Sequence, residues 1–397
     1  MESSENSFGK RYFIFLMVFL GALSAFGPFI TDFYLPTLPS MATIFHTTPS
    51  MVQLGLTASM LGLAIGQLFF GPISDKYGRR PVLAVSLIIF AISTLASIYS
   101  HNIEFFNVCR FLQGLGGAGG IVMSRSVATD CYSGRELAKI LAIVGAINGV
   151  APVAAPVIGG LVAKSIGWKG IFVILLIIGV VLFLMCGLFR ESLPKEKRFK
   201  GNLWRVAGSF VRLLHLPYFC VYVVMYGFSF GVLFSYISSA SFIVQDHFGY
   251  SELFFSLVFA TNAIGIAVGS GLTLKFRKMT TAALFSAAGM TIVGIGLLLS
   301  ALFADSFWLY EGLTFVILFF LGFMFPAGTT LAMDEGRSAI GAASAICGAI
   351  GFVFGGAVSP LVGLGDLIVT SSAIILASSV LALGFAIVAY RRKTDKN

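Results

Sequence analysis

Gly71-Pro72-Ile73-Ser74-Asp75-Lys76-Tyr77-Gly78-Arg79-Arg80-Pro81-Val82 is the stretch from which the rest of the chain can be placed. Four of its twelve residues are charged, yet it lies between two long apolar runs, Leu54 to Phe70 and Leu83 to Ile98. Hydrocarbon does not accept three cations and an aspartate facing lipid, so the stretch belongs at a membrane face. The tendency of Lys and Arg to remain on the cytoplasmic side puts it there, which sets the direction of every other apolar run.

The composition agrees. The chain of 397 residues is 57% hydrophobic and 11% charged, with a mean hydropathy of +0.95; a soluble domain carries about 25% charged residues. Apolar runs of about 20 residues recur, and the alternating segments of about 10 residues that mark a membrane barrel do not. Because lipid offers the backbone no partners, such runs are helices. They predict an all-α membrane protein of twelve spans, near 12–34, 50–72, 82–100, 105–128, 137–163, 167–189, 218–243, 251–274, 281–303, 307–333, 338–363 and 367–390. An even count returns both termini to the cytoplasm. Lys and Arg cluster on that side, as at Lys10, Arg11, Lys76, Arg79, Arg80, Arg135, Lys195, Arg198, Lys278, Arg337, Arg391 and Arg392, against Lys164 and Lys169 in the outer loops. The net charge of +9 is therefore a topology signal, with some attraction to anionic lipid and no implication of nucleic acid.

The polar stretch Arg190 to Arg205 divides the chain into residues 1–190, a cytoplasmic linker over 191–216 and residues 217–397, six spans on each side. The run from Leu203 to Leu214 reads as a short amphipathic helix on the inner face. Two six-helix bundles with a cavity between them follow. The first apolar run, Tyr12 to Ile30, is too long for a cleavable signal. Cys109, Cys131, Cys186, Cys220 and Cys347 form no paired spacing and read as small apolar side chains rather than disulfides or metal ligands. No HExxH, no Ser/His/Asp set, no paired carboxylates and no phosphate-binding GxxxxGK[ST] are present, so an enzyme or a nucleotide-driven pump is not expected, nor any metal or other cofactor.

Two charges lie inside spans: Asp32 in the first and Arg110 in the fourth. Counted along their helices at about 1.5 Å per residue, both fall in the outer half at similar depth. Either alone would be costly, so they are expected to face one another across a polar cavity, with Asp32 as a proton switch or as half of a static ion pair. Gly114-Leu115-Gly116-Gly117-Ala118-Gly119 matches GxGxxG, but no strand precedes it, and it reads as close helix packing rather than a dinucleotide loop. In the fifth span Gly145 and Gly149 give a smooth face, and Pro152 and Pro156, ahead of Gly159 and Gly160, bend the helix.

Together these stretches resemble a known family. Gly71-Pro72-x-Ser74-Asp75-x-x-Gly78-Arg79-Arg80 resembles the loop motif between helices two and three of the major facilitator superfamily. Arg110-Phe111-Leu112-Gln113-Gly114 resembles its helix-four motif, and Ala155-Pro156-Val157-Ile158-Gly159-Gly160 is similar to the helix-five motif of its drug/proton antiporters. Asp32-Phe33-Tyr34-Leu35-Pro36-Thr37-Leu38-Pro39 and Tyr236-Ile237-Ser238-Ser239-Ala240-Ser241-Phe242-Ile243-Val244-Gln245 resemble the bicyclomycin/chloramphenicol resistance (Bcr/CflA) branch. The chain departs from that branch after the helix-ten proline, where Ala327 stands in place of asparagine.

The resemblance implies Asp32 as protonation site with Arg110 as its coupling partner. It implies a cytoplasmic latch of Asp75 and Arg79 joined by Arg80, and a helix-five hinge at Gly149, Pro156 and Gly160. Tyr34, Phe230, Phe234, Tyr236, Gln245 and Asn262 are the candidates for lining a substrate cavity. Such aromatic, sparsely polar walls suit amphipathic ligands, cations included. The expected function is proton-coupled export of small amphipathic drugs or toxins across the bacterial inner membrane by alternating access, with the protein acting as a monomer on small molecules and protons. The rival on the same fold is a dedicated exporter of one metabolite, such as a siderophore, sugar or amino acid.

Overall fold

The computed structural model describes residues 10–132, 134–199, 201, 204–304 and 306–394, apart from some side chains within 134–153, 197–209 and 338–341 and at the two ends of that range. All regular structure among these residues is helical. The long helices are α1 (Lys10–Asp32), α3 (Pro49–Tyr77), α4 (Arg79–Ile98), α5 (Ile103–Cys131), α6 (Gly134–Leu188), α8 (Pro217–Phe242), α9 (Glu252–Leu272), α10 (Met279–Phe303), α11 (Phe307–Glu335), α12 (Ile340–Val362) and α13 (Leu367–Thr394). Two short ones, α2 (Leu38–Ile44) and α7 (Trp204–Leu214), complete the set.

Helix starts follow local chemistry. Thr48, Asn102 and Ser251 accept hydrogen bonds from Met51, Phe105 and Phe254 backbone N–H groups, which satisfies donors that a helix N-terminus leaves free. Gly78 alone separates α3 from α4, at φ 103°, a conformation that a side chain disfavours. A Cβ there would also meet Arg198 and Glu191 at 2.6 Å.

Two departures from the expected spans have evident causes. α1 ends at Asp32, where Pro36 and Pro39 turn the chain into a 3-10 turn, Leu35–Thr37, and then α2. The fifth and sixth spans follow one another without an intervening loop: two helices, labelled together as α6, meet at Gly167, whose φ of 60° and ψ of −173° are not helical. Among the described residues ten helical runs are long and apolar enough to cross a bilayer. α5, 29 residues long with Glu104, Arg110, Arg125 and Asp130, is not among them, and α6 counts once.

Large apolar side chains such as Val18, Phe69, Ile92, Leu184, Ile292 and Leu302 are exposed, while Gln53, Ser59, Ser86, Arg110, Gln113 and Asn262 are buried. This arrangement suits lipid as the surrounding medium. α1, α3, α4, α5 and α6 pack among themselves, and so do α8 to α13. Two seams join the groups, α3 on α12 and α6 on α9. The glycine-rich run of α5 serves packing: a Cβ at Gly114 would strike the Ser59 carbonyl of α3, and one at Gly62 would strike the α5 backbone.

Candidate functional site

Arg110 is the largest fully buried side chain among the described residues. It projects from α5, where the close approach of α3 brings Ser59 within reach. Its Nη2 donates to the Ile30 carbonyl at 2.7 Å and to Ser59 Oγ at 3.1 Å, and its Nη1 donates to Gln113 Oε1. Gln113 Nε2 in turn donates to Thr94 Oγ1 at 2.8 Å. The guanidinium lies 4.3 Å from the Tyr34 ring centroid and 5.5 Å from that of Phe172. One side chain thus ties α5 to α1, α3 and, through Gln113, to α4. The Ile30 carbonyl is free to accept because the residue four places on, Tyr34, lies beyond the end of α1.

Asp32, the last residue of α1, is 5% exposed. No hydrogen-bond partner reaches its Oδ1. Of the two readings of Asp32, the static ion pair with Arg110 is not formed: the guanidinium is satisfied by neutral oxygens and an aromatic face. Tyr34, whose ring faces the guanidinium, is within electrostatic reach of both. Asp32, Tyr34 and Arg110 therefore form one cluster at what can be called the Asp32 end.

At the opposite, Gly78 end, Arg79 donates to Asp75 Oδ1 at 2.6 Å, Asp130 Oδ2 at 2.8 Å and Ser74 Oγ at 2.6 Å. Asp130, at the end of α5, was not singled out from sequence. Neither was Glu191, whose carboxylate accepts from the backbone N–H groups of Arg79 at 2.9 Å and Arg80 at 3.2 Å, as an acid suits a helix N-terminus. Arg80, expected in the carboxylate cluster, lies elsewhere. Its Nε and Nη2 donate to the Cys186 and Gly187 carbonyls, which the end of α6 leaves without helical partners.

In the fifth-span region, Pro156 and Gly160 lie on the seam with α9. The Pro156 carbonyl accepts from Ser256 Oγ at 2.8 Å, and a Cβ on Gly160 would meet Ser256 and the Glu252 carbonyl. Gly149 falls outside the described side chains.

The six cavity candidates fall in separate places. Phe230 and Phe234 stack at 6.1 Å, with Tyr226 and Phe325 against Phe230. Gln245 is committed to the joint between groups, donating to the Pro36 carbonyl at 3.0 Å and to Ser241 Oγ. Asn262 and Tyr236 meet: Asn262 Nδ2 lies 2.8 Å from the Tyr236 hydroxyl and donates to Glu311 Oε1 at 2.6 Å. Glu311 escaped the sequence reading because it stands on the fifth residue of α11, where an acid passes for the polar edge of a span. The signal available was its place inside an otherwise uncharged apolar run, Phe307 to Met333.

The two helix groups are held together by Ser50 to the Pro360 carbonyl, Gln53 to the Ser238 carbonyl, Thr57 to the Gly356 carbonyl, Ser359 to the Gln53 carbonyl, Gln245 to Pro36, and Ser256 to Pro156. All six lie toward the Asp32 end.

Comparison with known proteins follows from this arrangement. The family described as Major Facilitator Superfamily matches residues 14–360. An MFS-type transporter of Bacillus subtilis, YdgK, is 35% identical over 375 residues, covering 91% of each chain. A bicyclomycin resistance protein homolog of Haemophilus influenzae is 29% identical over 89% of each chain. A chloramphenicol resistance protein of Pseudomonas aeruginosa is 32% identical over 66% of this chain and 62% of its own. Among solved structures, a bacterial homolog of the human lysosomal transporter Spinster superposes with a TM-score of 0.74 at 17% identity, covering 96% of each chain. The xylose transporter XylE of E. coli does so with 0.72 at 13% identity, covering 95% of this chain and 97% of its own. The chain belongs to the major facilitator superfamily. Its relatives place it in the bicyclomycin/chloramphenicol resistance branch of that family, among membrane transporters of small molecules rather than enzymes.

Proposed function

We propose that this protein exports small amphipathic drugs or toxins across the bacterial inner membrane in exchange for protons, by alternating access. The observation that carries the reading is Asp32: a carboxyl 5% exposed, at a helix break within a membrane-spanning run, with Oδ1 unpartnered and no ion pair to Arg110. A carboxylate so placed is costly to keep charged, and protonation relieves that cost. Each proton entering down a membrane potential contributes about 2.3 kcal/mol per 100 mV.

In this reading α5 and the two arms of α6 complete twelve spans, with both termini and the Gly78 end in the cytoplasm. Residues 1–190 and 217–397 act as two bundles joined by the linker 191–216, and one chain is sufficient. The bonds near the Asp32 end then close the periplasmic side. Asp75, Arg79 and Asp130 form the cytoplasmic latch, with Glu191 bracing it. Arg110 holds the break of α1 in position, Pro156 and Gly160 lie where one bundle rocks on the other, and Tyr34, Phe230, Phe234, Tyr236 and Asn262 meet substrate in turn. The names of the resistance-linked relatives support a drug as cargo.

The test is drug-dependent proton flux in reconstituted vesicles. Wild-type protein is expected to alkalinise or acidify the lumen with chloramphenicol counterflow, and Asp32→Asn to abolish that coupling. Full proton-coupled export by Asp32→Asn would overturn the mechanism.

A further inference from the structure

Glu311 is a second carboxyl within an apolar span, in the other helix group from Asp32. Asn262 Nδ2, from α9, reaches its Oε1 at 2.6 Å, while Oε2 is buried without a partner. Asn262 Oδ1, also buried, has none either. Tyr236, stacked at 5.6 Å on Phe259, forms an aromatic wall beside Asn262.

The charge balance around this carboxyl is one-sided. α11 packs against α8, α9, α10 and α12, and none of these five helices contains a Lys or Arg. Arg337, past the far end of α11, is 26 positions away, roughly 40 Å along the helix. Lys164, on the arm of α6 that packs on α9, interacts with Glu252 instead. The titratable groups facing Glu311 are Tyr236 from α8 and Tyr310 from its own helix; α10 presents none, and Cys347 of α12 lies toward the Gly78 end. His247, Asp366, Ser300 and Tyr310 line a cavity of about 350 Å³ at the Asp32 end, and Glu311, Asn262 and Tyr236 are not among its lining residues. A carboxylate with no protein cation must be neutralised by something that arrives: a proton, or a cation from outside the chain. Unused acceptor oxygens beside aromatic faces suit a weakly hydrated organic cation rather than a metal ion, which would need more oxygens.

We propose that Glu311, with Asn262 and Tyr236, forms a cation-recognition site in which a monovalent organic cation and a proton are alternative occupants. The inference rests on the drug-export reading and narrows its substrate class: cationic cargo is selected here, apart from Asp32. Binding of a permanent cation at a protonated Glu311 releases one proton to solvent, so charge is conserved at the site.

The experiment uses the purified full chain and two probes, ethidium as permanent cation and chloramphenicol as neutral drug. In vesicles, Glu311→Gln is expected to lower the ratio of ethidium to chloramphenicol export about tenfold, the size of one lost cation contact in an apolar site. Glu311→Asp, which keeps the carboxyl, should restore most of that ratio. In detergent, ethidium binding to wild type should release protons near neutral pH, and to Glu311→Gln should not. An unchanged ratio, or proton release that survives Glu311→Gln, overturns the site. Should wild type export neither probe, the export reading fails on its own; the proton-release arm still decides Glu311, and no release from wild type overturns it.

Discussion

Arg110→Lys keeps the charge and removes the fork, which isolates what geometry contributes at the break of α1. The guanidinium spreads its contacts over two nitrogens: Nη2 serves the Ile30 carbonyl and Ser59, and Nη1 serves Gln113. An ammonium occupies one of those positions. Placed at Nη2, it abandons Gln113 Oε1, a buried acceptor whose loss of partner costs about 1–3 kcal/mol. The planar stack on Tyr34, 4.3 Å away, is weakened as well, for about 0.5–2 kcal/mol more. The sum is about 1.5–5 kcal/mol, or a shift of roughly 10- to 4000-fold in the equilibrium that keeps α1 docked on α5. Thermal unfolding of the purified protein in detergent, read with a thiol-reactive dye on the buried cysteines, is expected to show a clear fall in midpoint. Gln113→Leu supplies the second arm of the cycle. With the amide gone, lysine leaves no buried amide oxygen behind, and its penalty should shrink by about 1–3 kcal/mol. A wild-type midpoint for Arg110→Lys, or strict additivity with Gln113→Leu, would refute the argument.

Other consequences are open to direct measurement. With the native cysteines replaced, Thr57→Cys with Gly356→Cys should form a disulfide, since the two positions meet across the α3–α12 seam, Thr57 Oγ1 donating to the Gly356 carbonyl at 2.8 Å. Oxidation should stop drug export and reduction restore it; export by the cross-linked protein would show that the α3–α12 seam need not part. Gly114→Ala should destabilise by about 1–3 kcal/mol through backbone collision with Ser59. Gly384→Ala, whose Cβ meets nothing within 4 Å, should be neutral or slightly stabilising by comparison. Equal unfolding midpoints for these two variants would contradict the packing account of the glycine-rich run.

Particular residues show how far a linear reading carries. Asp75 and Arg79, four apart, were legible as a pair because helix pitch alone brings them together, and they meet at 2.6 Å. Asp130, 51 positions further on, completes the same cluster and carries no local signal of doing so. Asp32 and Arg110 were legible as buried charges, since apolar neighbours on both sides force that conclusion. That they face one another was an inference from cost alone, and cost does not say how a guanidinium is satisfied. Backbone carbonyl, hydroxyl, amide and ring meet its needs without any anion. Glu311 went unremarked because its burial depends on Asn262 and Tyr236 arriving from two other helices.

From the amino-acid order alone come the membrane setting, the helical class, the approximate spans and the polar turn around Gly78. Each rests on solvation and backbone conformation, which act over a turn or two of chain. The tertiary structure alone decides which acceptors surround Arg110, that the α3–α12 and α6–α9 seams are joined at the Asp32 end, and that Glu311 has no cation beside it. Those outcomes depend on rotation and depth of one helix against another, where a few ångströms separate a paired charge from a solitary one, and no local pattern specifies them.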